Sequence, residues 1–232
     1  MACEVKLAAF TPDAARVAAS AARLCYSASR ASDLFDGLDS EKTGEFLLKL
    51  RKIGHLSPFE HAVFTFAIDG LSRVASHQLV RHRLASFSQQ SQRYVTMGAQ
   101  RVVTPPSVAA IPEAAAIFEE QANAAHAAYQ RLAELGVPKE DARFILPHGW
   151  ETSLMLTMNA RELHHFFSLR LCRRAQWEIR FLATKMLALV RSCALELFDS
   201  SGPPCLTDGT CHEEHGCGRP YANIDELLLD QL

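Results

Sequence analysis

The sequence predicts an α+β fold, with helices packed on a β-sheet in a single domain. Residues 113–135 form an Ala-rich stretch typical of a helix, and residues 175–197 carry apolar side chains at helical spacing. The segment HAVFTFAID, which begins at His61, is instead rich in aromatic and β-branched residues, which favour a strand. Helices combined with a β segment, with no repeat and no linker before about Ser200, indicate one shared core.

Helix signals in the first third of the chain lie on both sides of the predicted strand. Thr11 and Pro12 are suited to the N-cap and the first position of a helix over 11–24. Ser40 is suited to begin a second helix, which runs to Gly54. After the strand, a third helix is predicted from about Leu71 to the cluster of basic residues at 81–83.

Prolines and caps divide the remaining two thirds. Pro105, Pro106 and Pro112 indicate a loop, after which the 113–135 helix ends at Gly136. Pro138 begins a short helix that carries Arg143. Asn159 is predicted to cap the helix NARELHHFFSLR, and the helix over 175–197 follows. A GPP sequence after Ser201 then introduces a less regular segment, so the predicted domains are 1–200, the main domain, and 201–232, a Cys/His-containing tail.

Composition limits the kind of partner. The 232 residues are 48% hydrophobic and 22% charged, as in a globular domain, and the formal net charge is −2. Such a balance gives no global attraction to nucleic acid or to an anionic membrane. Anion binding must therefore be local, which favours a nucleotide over a polymer as ligand and predicts neither a nucleic-acid nor a membrane partner.

The location predicted by default is the cytoplasm. No charged segment followed by an apolar run opens the sequence, and no stretch approaches the roughly 20 apolar residues of a membrane span. The seven cysteines are an odd number and most are scattered, which suits reduced thiols better than a disulfide framework.

The densest cluster of anion-binding side chains is RHRLASFSQQSQR, from Arg81 to Arg93. Arginine offers a rigid fork of donors to phosphate or carboxylate, and His82 adds a titratable ring. The helix dipole alone would favour arginines at a helix C-terminus, but it explains neither His82 nor the serines. The segment therefore predicts an anion-binding site.

RHR followed after seven residues by Ser91 resembles the signature of the flavin-dependent thymidylate synthases, and the resemblance continues from HLSPFEH to AQWEIR. It implies the fold of that family and a homotetramer with shared active sites. The implied enzyme is a methyltransferase that makes dTMP from dUMP, with 5,10-methylenetetrahydrofolate, NADPH and FAD. The sequence does not distinguish NADPH from NADH, and it does not define the folate site.

The resemblance also implies roles for individual residues. Arg170 matches the arginine that activates the uracil ring. The implied cofactor contacts are Ser57, Arg81, His82, Arg83, Gln89, Asn159, Ala160, Arg161 and His165, with His55 and Glu60 near them. The implied nucleotide contacts are Gln78, Leu79, Val80, Arg81, Gln89, Gln90, Ser91, Gln92, Arg93, Arg143 and Arg170. Many family members have Asn and Glu where this chain has Ser88 and Gln89, and some have His where it has Arg174.

These residue types fit the chemistry. Methylation at C5 needs electron density on that carbon, and an arginine at the pyrimidine stabilises the negative charge that develops on the ring. A covalent nucleophile is then unnecessary. The flavin supplies electrons and the folate supplies the one-carbon unit, so the protein binds, orients and polarises. The absence of a G-x-G-x-x-G fingerprint fits a nicotinamide that visits transiently.

Two other classes of protein stay open at this point. A nucleic-acid-binding module would use the basic turn, although it would normally show a broader basic face. A zinc-stabilised interaction protein would use the tail CLTDGTCHEEHGC, where Cys205, Cys211, Cys217, His212 and His215 are possible ligands. That tail lacks a Cys-x-x-Cys pair, so we predict no metal. Only the enzyme is expected to be yellow.

Overall fold

The structure, a computed structural model, describes residues 3–37, 43–99 and 101–230. The strands are β1 (Glu4–Phe10), β2 (Val63–Ser72), β3 (Ala85–Gln89) and β4 (Glu151–Asn159). The helices are α1 (Ala14–Leu24), α2 (Ala31–Asp36), α3 (Thr43–Lys52), α4 (Arg73–Leu79), α5 (Pro106–Ala109), α6 (Pro112–Glu134), α7 (Lys139–Ala142), α8 (Ala160–Arg170), α9 (Trp177–Cys193), α10 (Leu195–Phe198), α11 (Pro204–Thr207) and α12 (Ile224–Leu229). Two 3-10 helices span Ser57–His61 and Arg143–Ile145.

The four strands form one sheet in the order β1-β2-β4-β3. The central strands β2 and β4 are antiparallel, since the Ala160 amide at the end of β4 donates to the Ala62 carbonyl just before β2. Further along the same pair, the hydroxyls of Thr65 and Thr157 lie 2.9 Å apart. Alternate side chains of β2 and β4 are buried, as expected for strands with one face on a core.

The described chain divides into two compact units, and all but one of their boundaries fall within strands, the exception being between Val80 and Arg81 after α4. The first comprises Ile68–Val80 and Ser88–Leu154, with Cys3 and Glu4. Its core includes Tyr129 of α6 and Ala142 of α7, together with Met97 and Trp150. No helix in the described part of the chain is both long and apolar enough to cross a membrane.

The second unit comprises Val5–Ala67, Arg81–Phe87 and the chain from Met155 onward. In it, α1 packs against α2, α3 and the 3-10 helix Ser57–His61, and α8 packs against α9. The apolar stripe predicted for the last long helix is confirmed, because its members Ile179, Leu182 and Met186 are buried in α9. Neither unit coincides with the predicted domains 1–200 and 201–232, which stay predictions.

The predicted start of the first helix is wrong. Helix α1 begins at Ala14, after Asp13 in the left-handed region with φ 48°. Thr11 is not a cap because it pairs with β2: its amide donates to the Val63 carbonyl, and its hydroxyl accepts from the Val63 amide, both at 2.9 Å. Strand pairing thus takes the groups that a helix cap would have used.

Other boundaries move by a few residues. His61 ends a 3-10 helix, so β2 starts at Val63, and α4 begins at Arg73 because the Ser72 hydroxyl accepts from the Ala75 amide. The predicted 175–197 helix ends at Cys193, since Ala194 leaves the helical region with φ −149° and ψ 54°, and α10 follows as a separate turn. Ser40, predicted to begin the second helix, lies outside the described residues.

Candidate active site

A cavity in the second unit is lined by five of the residues that the sequence predicts for cofactor binding. Its volume is about 680 Å³, within the roughly 300–1,000 Å³ typical of small-molecule sites. The five are Arg81, His82, Arg83, Arg161 and His165. The loop between α4 and β3 therefore meets the first two turns of α8 at this cavity.

The junction between β4 and α8 fixes the direction of that helix. Asn159 ends the strand and is the N-cap, as predicted, because its side-chain oxygen accepts from the Glu162 amide at 2.9 Å. The Ala160 amide donates to the Ala62 carbonyl at 2.8 Å, so the first helical residue is anchored to the chain that enters β2. Arg161 is then directed to the cavity.

Three side chains form a continuous hydrogen-bonded chain at the wall of this cavity. The His82 ring is 3% exposed, and its Nδ1 lies 3.2 Å from Oε1 of Glu162. Its Nε2 lies 3.1 Å from Nε of Arg170. An arginine only donates, so Nε2 must accept and the ring proton must be on Nδ1, where it is donated to Glu162.

The electrostatics agree with a neutral imidazole. Burial, followed by the charges of Arg170 and His165, lowers the pKa of His82 to about 4. Burial also raises the pKa of Glu162, against the opposing effects of His165 and Arg161. Desolvation lowers the pKa of Arg170 from its high ordinary value, although the guanidinium stays charged at neutral pH.

The HLSPFEH segment contributes through Glu60. Its carboxylate forms an ion pair with Arg161, which ties the 3-10 helix Ser57–His61 to α8. Ser57, a predicted cofactor contact, is exposed at the start of that 3-10 helix, and its neighbour Leu56 lines the cavity. His55 is partly buried and has its ring edge against Tyr26.

The cavity also has a side that sequence reasoning missed. It is lined by Arg51 of α3, His164 of α8, and Ser201 and Asp208 from the C-terminal segment. The Arg51 guanidinium donates to the Ser200 carbonyl, and Ser201 Oγ lies 3.0 Å from His164 Nδ1. Burial and the charge of Arg51 lower the pKa of His164 to about 3. Arg51, His164 and Ser201 are far apart in sequence and share no motif. The sequence therefore gave no signal that they would meet at this cavity.

All the predicted nucleotide contacts except Arg81 and Arg170 lie in the first unit. Gln89 donates through Nε2 to the hydroxyls of Ser76 and Thr152, at 3.1 and 3.2 Å. Arg73 donates to the Gln90 carbonyl at 2.7 Å. These bonds attach the end of β3 to α4 and β4, so the backbone that leads to Ser91 is held in place.

Two predicted nucleotide contacts meet at a single acidic residue. Arg93 forms an ion pair with the Glu140 carboxylate at 2.6 Å, and Nε of Arg143 donates to the Glu140 carbonyl at 3.1 Å. The Ser91 hydroxyl accepts from the Arg93 amide at 3.2 Å, which closes the turn between them. Both partners of the Arg93–Glu140 pair are about half exposed, with values of 51% and 48%.

The remaining predicted contacts differ in accessibility. Leu79 is fully buried and Gln92 nearly so, at 0% and 8% exposed, whereas Val80 is 42% exposed. Gln78 is partly buried.

One cluster of possible metal ligands occurs among the described residues. The nearest ligand atoms of His82, Glu162 and His165 all lie within 4.8 Å of one another. In this cluster His82 and Glu162 already bond to each other, and Arg170 occupies the other ring nitrogen of His82. The tail cysteines do not form such a cluster in the part of the chain that the structure describes. The predicted absence of metal stays a prediction.

Comparison with known proteins identifies the family. Residues 6–194 match the family described as thymidylate synthase complementing protein. A flavin-dependent thymidylate synthase of Geobacter sulfurreducens is 52% identical over 213 residues, which cover 90% of this chain and 91% of that protein. The corresponding protein of Clostridium tetani is 43% identical, over 99% of this chain and 98% of its own length.

A solved structure supports the same assignment. The UMP/dUMP methylase PolB of Streptomyces cacaoi, bound with 5-Br dUMP, matches with a TM-score of 0.74 and 26% identity over 85% of this chain and 93% of its own. The predicted α+β fold and the resemblance seen in the RHR segment are thereby confirmed. The chain belongs to the family of flavin-dependent thymidylate synthases.

Proposed function

We propose that this methyltransferase converts dUMP to dTMP, with FAD as cofactor, 5,10-methylenetetrahydrofolate as one-carbon donor and NADPH as reductant. The observation that carries the proposal is the arginine-lined cavity of the second unit, at whose wall His82 holds Arg170. The dUMP part is supported by PolB, whose structure contains a dUMP analogue.

The side chains of the cavity suit FAD. Four guanidinium groups line it, those of Arg51, Arg81, Arg83 and Arg161. A pyrophosphate is an anion that such forks bind in a bidentate manner, and this local charge compensates for a chain whose net charge is −2. When bound, the flavin supplies the electrons of the reductive methylation. The other proposed flavin contacts are Asn159, Ala160 and His165. Ser57 and Gln89 are flavin contacts predicted from the family resemblance.

We assign the dUMP phosphate to Arg93 and Arg143, with the turn at Ser91. The two arginines already share Glu140 as a partner. An exposed ion pair of this kind contributes only about 0–1 kcal/mol, so a doubly charged phosphate displaces the carboxylate at little cost. Gln78, Gln90, Gln92 and the backbone of Leu79 and Val80 are proposed to hold the rest of the nucleotide.

Arg170 is proposed to polarise the uracil ring, and Arg81 to reach both cofactor and nucleotide. A guanidinium that is fixed before the reaction stabilises developing negative charge without reorganisation. Partial burial strengthens this effect, because less water screens the charge. The chain thus acts by binding and polarising, and its thiols are left out of the chemistry.

We propose a cytoplasmic homotetramer with active sites shared between subunits. Large apolar side chains stand exposed next to predicted site arginines: Leu84 beside Arg83 at 66%, Tyr94 beside Arg93 at 74%, and Phe144 beside Arg143 at 84%. Exposed apolar side chains of this size are groups that a subunit interface would bury. We therefore expect subunits to meet at these positions, so that more than one chain completes each site.

A spectrum followed by turnover tests the proposal. The purified protein is expected to show oxidised-flavin absorbance, which NADPH bleaches. Addition of dUMP and 5,10-methylenetetrahydrofolate to the reduced protein is expected to restore the absorbance and to yield dTMP. A colourless protein that cannot be reconstituted with FAD, or a flavoprotein that forms no dTMP, would contradict it.

A further inference from the structure

We propose that Glu162 and His82 are positioning residues that aim the guanidinium of Arg170 without neutralising its charge. The inference rests on the proposed function, in which Arg170 acts at the pyrimidine. It adds a role for Glu162, which no motif of the chain singled out, and a second role for His82 beside cofactor binding.

The geometry allows one arrangement of protons. Nε of Arg170 lies 3.1 Å from Nε2 of His82 and must donate, so that nitrogen offers its lone pair. The proton then sits on Nδ1, which faces Oε1 of Glu162 at 3.2 Å. If the proton moved to Nε2, two donors would face each other and the hydrogen bond to Arg170 would be lost. Glu162 therefore selects the tautomer that holds the arginine.

The imidazole bridges two positions of one helix. Glu162 is in the first turn of α8 and Arg170 is its last residue. At a rise of about 1.5 Å per residue, their backbones are roughly 12 Å apart along the axis, which is too far for the two side chains to form this contact directly. His82 comes from the loop after α4 and contacts both, so the RHR segment is what links the acid to the arginine.

Packing holds the ring in this bridging position. Phe166 makes an edge contact with the His82 ring, with centroids 5.0 Å apart and an interplanar angle of 78°. His165 contributes a second edge contact at 5.7 Å. Glu162 itself is 4% exposed. A buried ring with neighbours of this kind has few alternative rotamers, which is what a positioning residue needs.

A neutral partner has a functional advantage over a carboxylate. An aspartate or glutamate bonded to Arg170 would orient it equally well, but would cancel much of the positive charge that the reaction uses. A neutral imidazole accepts the same hydrogen bond and leaves the charge available to the ring of the substrate. The carboxylate of Glu162 is separated from Arg170 by the His82 ring, and from that position it fixes the tautomer of the ring.

The charges that face His82 decide how the arrangement responds to pH. They are Arg170 and His165 of α8, which oppose protonation of the ring, and Glu162 of the same helix, which bonds to Nδ1. Since burial and the charges of Arg170 and His165 lower the pKa of His82 to about 4, the ring stays neutral at the pH where the enzyme would be assayed. The hydrogen bond to Arg170 is therefore intact throughout that range.

The test is a matched pair of substitutions at His82, compared in the two half-reactions. The amide of Gln reaches the position of Nε2 and keeps an acceptor for Arg170, whereas the amide of Asn reaches only the position of Nδ1. Bleaching of the flavin by NADPH does not require Arg170 and measures cofactor binding. Re-oxidation of the reduced flavin by dUMP and 5,10-methylenetetrahydrofolate requires it.

We expect His82→Asn to slow re-oxidation on the order of 10²-fold, as for loss of one preorganised donor, and His82→Gln to slow it much less. Bleaching by NADPH is expected to change alike in the two variants. At the second position, Glu162→Gln keeps an acceptor and is expected to retain most of the rate, whereas Glu162→Leu is expected to lose it.

Equal loss or equal retention of re-oxidation in the Gln and Asn variants would overturn the positioning role. So would a Glu162→Leu variant that re-oxidises its flavin at the rate of the parent protein. Failure of the proposed function is recognised separately, because the unsubstituted protein would then form no dTMP. A variant that fails to fold is identified by its far-UV circular dichroism, and the pair of substitutions at the other position then decides the outcome.

Discussion

The predicted cofactor contacts of the second unit and the predicted nucleotide contacts of the first unit differ in how they are held. His82 and Glu162 are almost completely buried and their hydrogen bond is shielded from water. Arg93 and Glu140 form a shorter ion pair, at 2.6 Å, but both side chains are about half exposed. One pair is fixed by its surroundings, and the other is open to exchange.

The difference indicates two strategies for binding anions. Groups that must keep one orientation, such as Arg170, are held through buried partners whose own protons are fixed. Arg93, which is proposed to exchange the Glu140 carboxylate for a phosphate, lies in solvent, where an ion pair contributes little. Substitutions in the second unit should therefore affect turnover and cofactor retention, and those in the first unit should affect mainly nucleotide affinity.

The largest expected effect is at Arg170. Arg170→Ala removes the charge that is proposed to act on the pyrimidine, so re-oxidation of the reduced flavin by nucleotide and folate should fall on the order of 10²-fold or more, while the protein stays yellow. Single-turnover absorbance at the flavin band measures it. Arg174→Ala is the matched control, since that arginine is exposed and bound to Glu213. A variant that re-oxidises at the parental rate would contradict the assignment.

The next effect is on cofactor binding. Arg81→Ala should raise the dissociation constant of FAD by about 10- to 100-fold, as expected from roughly 1.5–3 kcal/mol for a hydrogen bond to a charged group, and nucleotide affinity should fall with it. Titration followed by flavin fluorescence measures the first, and calorimetry with dUMP the second. Arg131→Ala on α6 removes an equally charged but exposed residue and should change neither. Retention of both affinities in Arg81→Ala would contradict the role of the RHR segment.

Much of the second unit's site was predictable because its residues form local motifs. RHR, the strand from HAVFTFAID and the Asn159 cap are each encoded within a few residues. Glu162 was missed because a glutamate in the first turn of a helix is commonplace, and its contact with His82 joins residues 80 apart in sequence. The partners that hold a motif residue in place are non-local, so a motif shows the ligand-binding group without its support.

Strands were harder to predict than helices. β1, β3 and β4 were missed, although β4 buries alternate residues such as Leu154, Leu156 and Met158. The β4 sequence ETSLMLTMN ends at Asn159, which is also the N-cap of α8. The helix signal at this residue was the stronger one, so the strand was not predicted. β3 lies inside the basic segment, where serines and glutamines dominate. Strand identity here depends on pairing with β2 and β4, which a single segment does not reveal.

The second unit should also be sensitive to acid. The pKa of His82 and that of His164 are lowered in the folded protein to about 4 and about 3, from an ordinary value of 6.5. Below pH 6.5 the unfolded chain takes up protons that the folded chain does not. The free energy of unfolding should thus be unaffected above that pH and fall by about 1.4 kcal/mol per pH unit for each histidine below it.

Urea denaturation between pH 7 and pH 5 measures this loss. His164→Phe removes one of the two groups, and its ring can pack against Phe59 and Phe198, whose rings already contact His164. The variant should lose stability less steeply with falling pH than the parent protein. An unchanged slope would mean that His164 does not resist protonation in the folded state.

A smaller effect is expected at Ser91 in the first unit. Its hydroxyl accepts from the Arg93 amide, so Ser91→Ala loses one hydrogen bond of a turn, about 1 kcal/mol. The KM for dUMP should rise several-fold while kcat stays close to its parental value. Steady-state kinetics separate the two constants, with Ser86→Ala as a control on the same segment. A dead Ser91→Ala beside an active Arg170→Ala would instead indicate a serine nucleophile.

The smallest effect is predicted for Cys172, which lies two residues after Arg170 and is the thiol best placed in sequence for covalent catalysis. The neighbouring Arg173 does not serve that thiol, because its guanidinium binds the carboxylates of Glu226 and Asp230, at 2.7 and 3.0 Å, and lies over the Tyr221 ring. A partly buried cysteine acts as a small apolar side chain here, so Cys172→Ala should change turnover less than about threefold. Single-turnover assays with flavin bound would detect a larger role. Complete loss of dTMP formation in a variant that still binds FAD would show that a thiolate adds to the pyrimidine, and that polarisation by Arg170 is not sufficient.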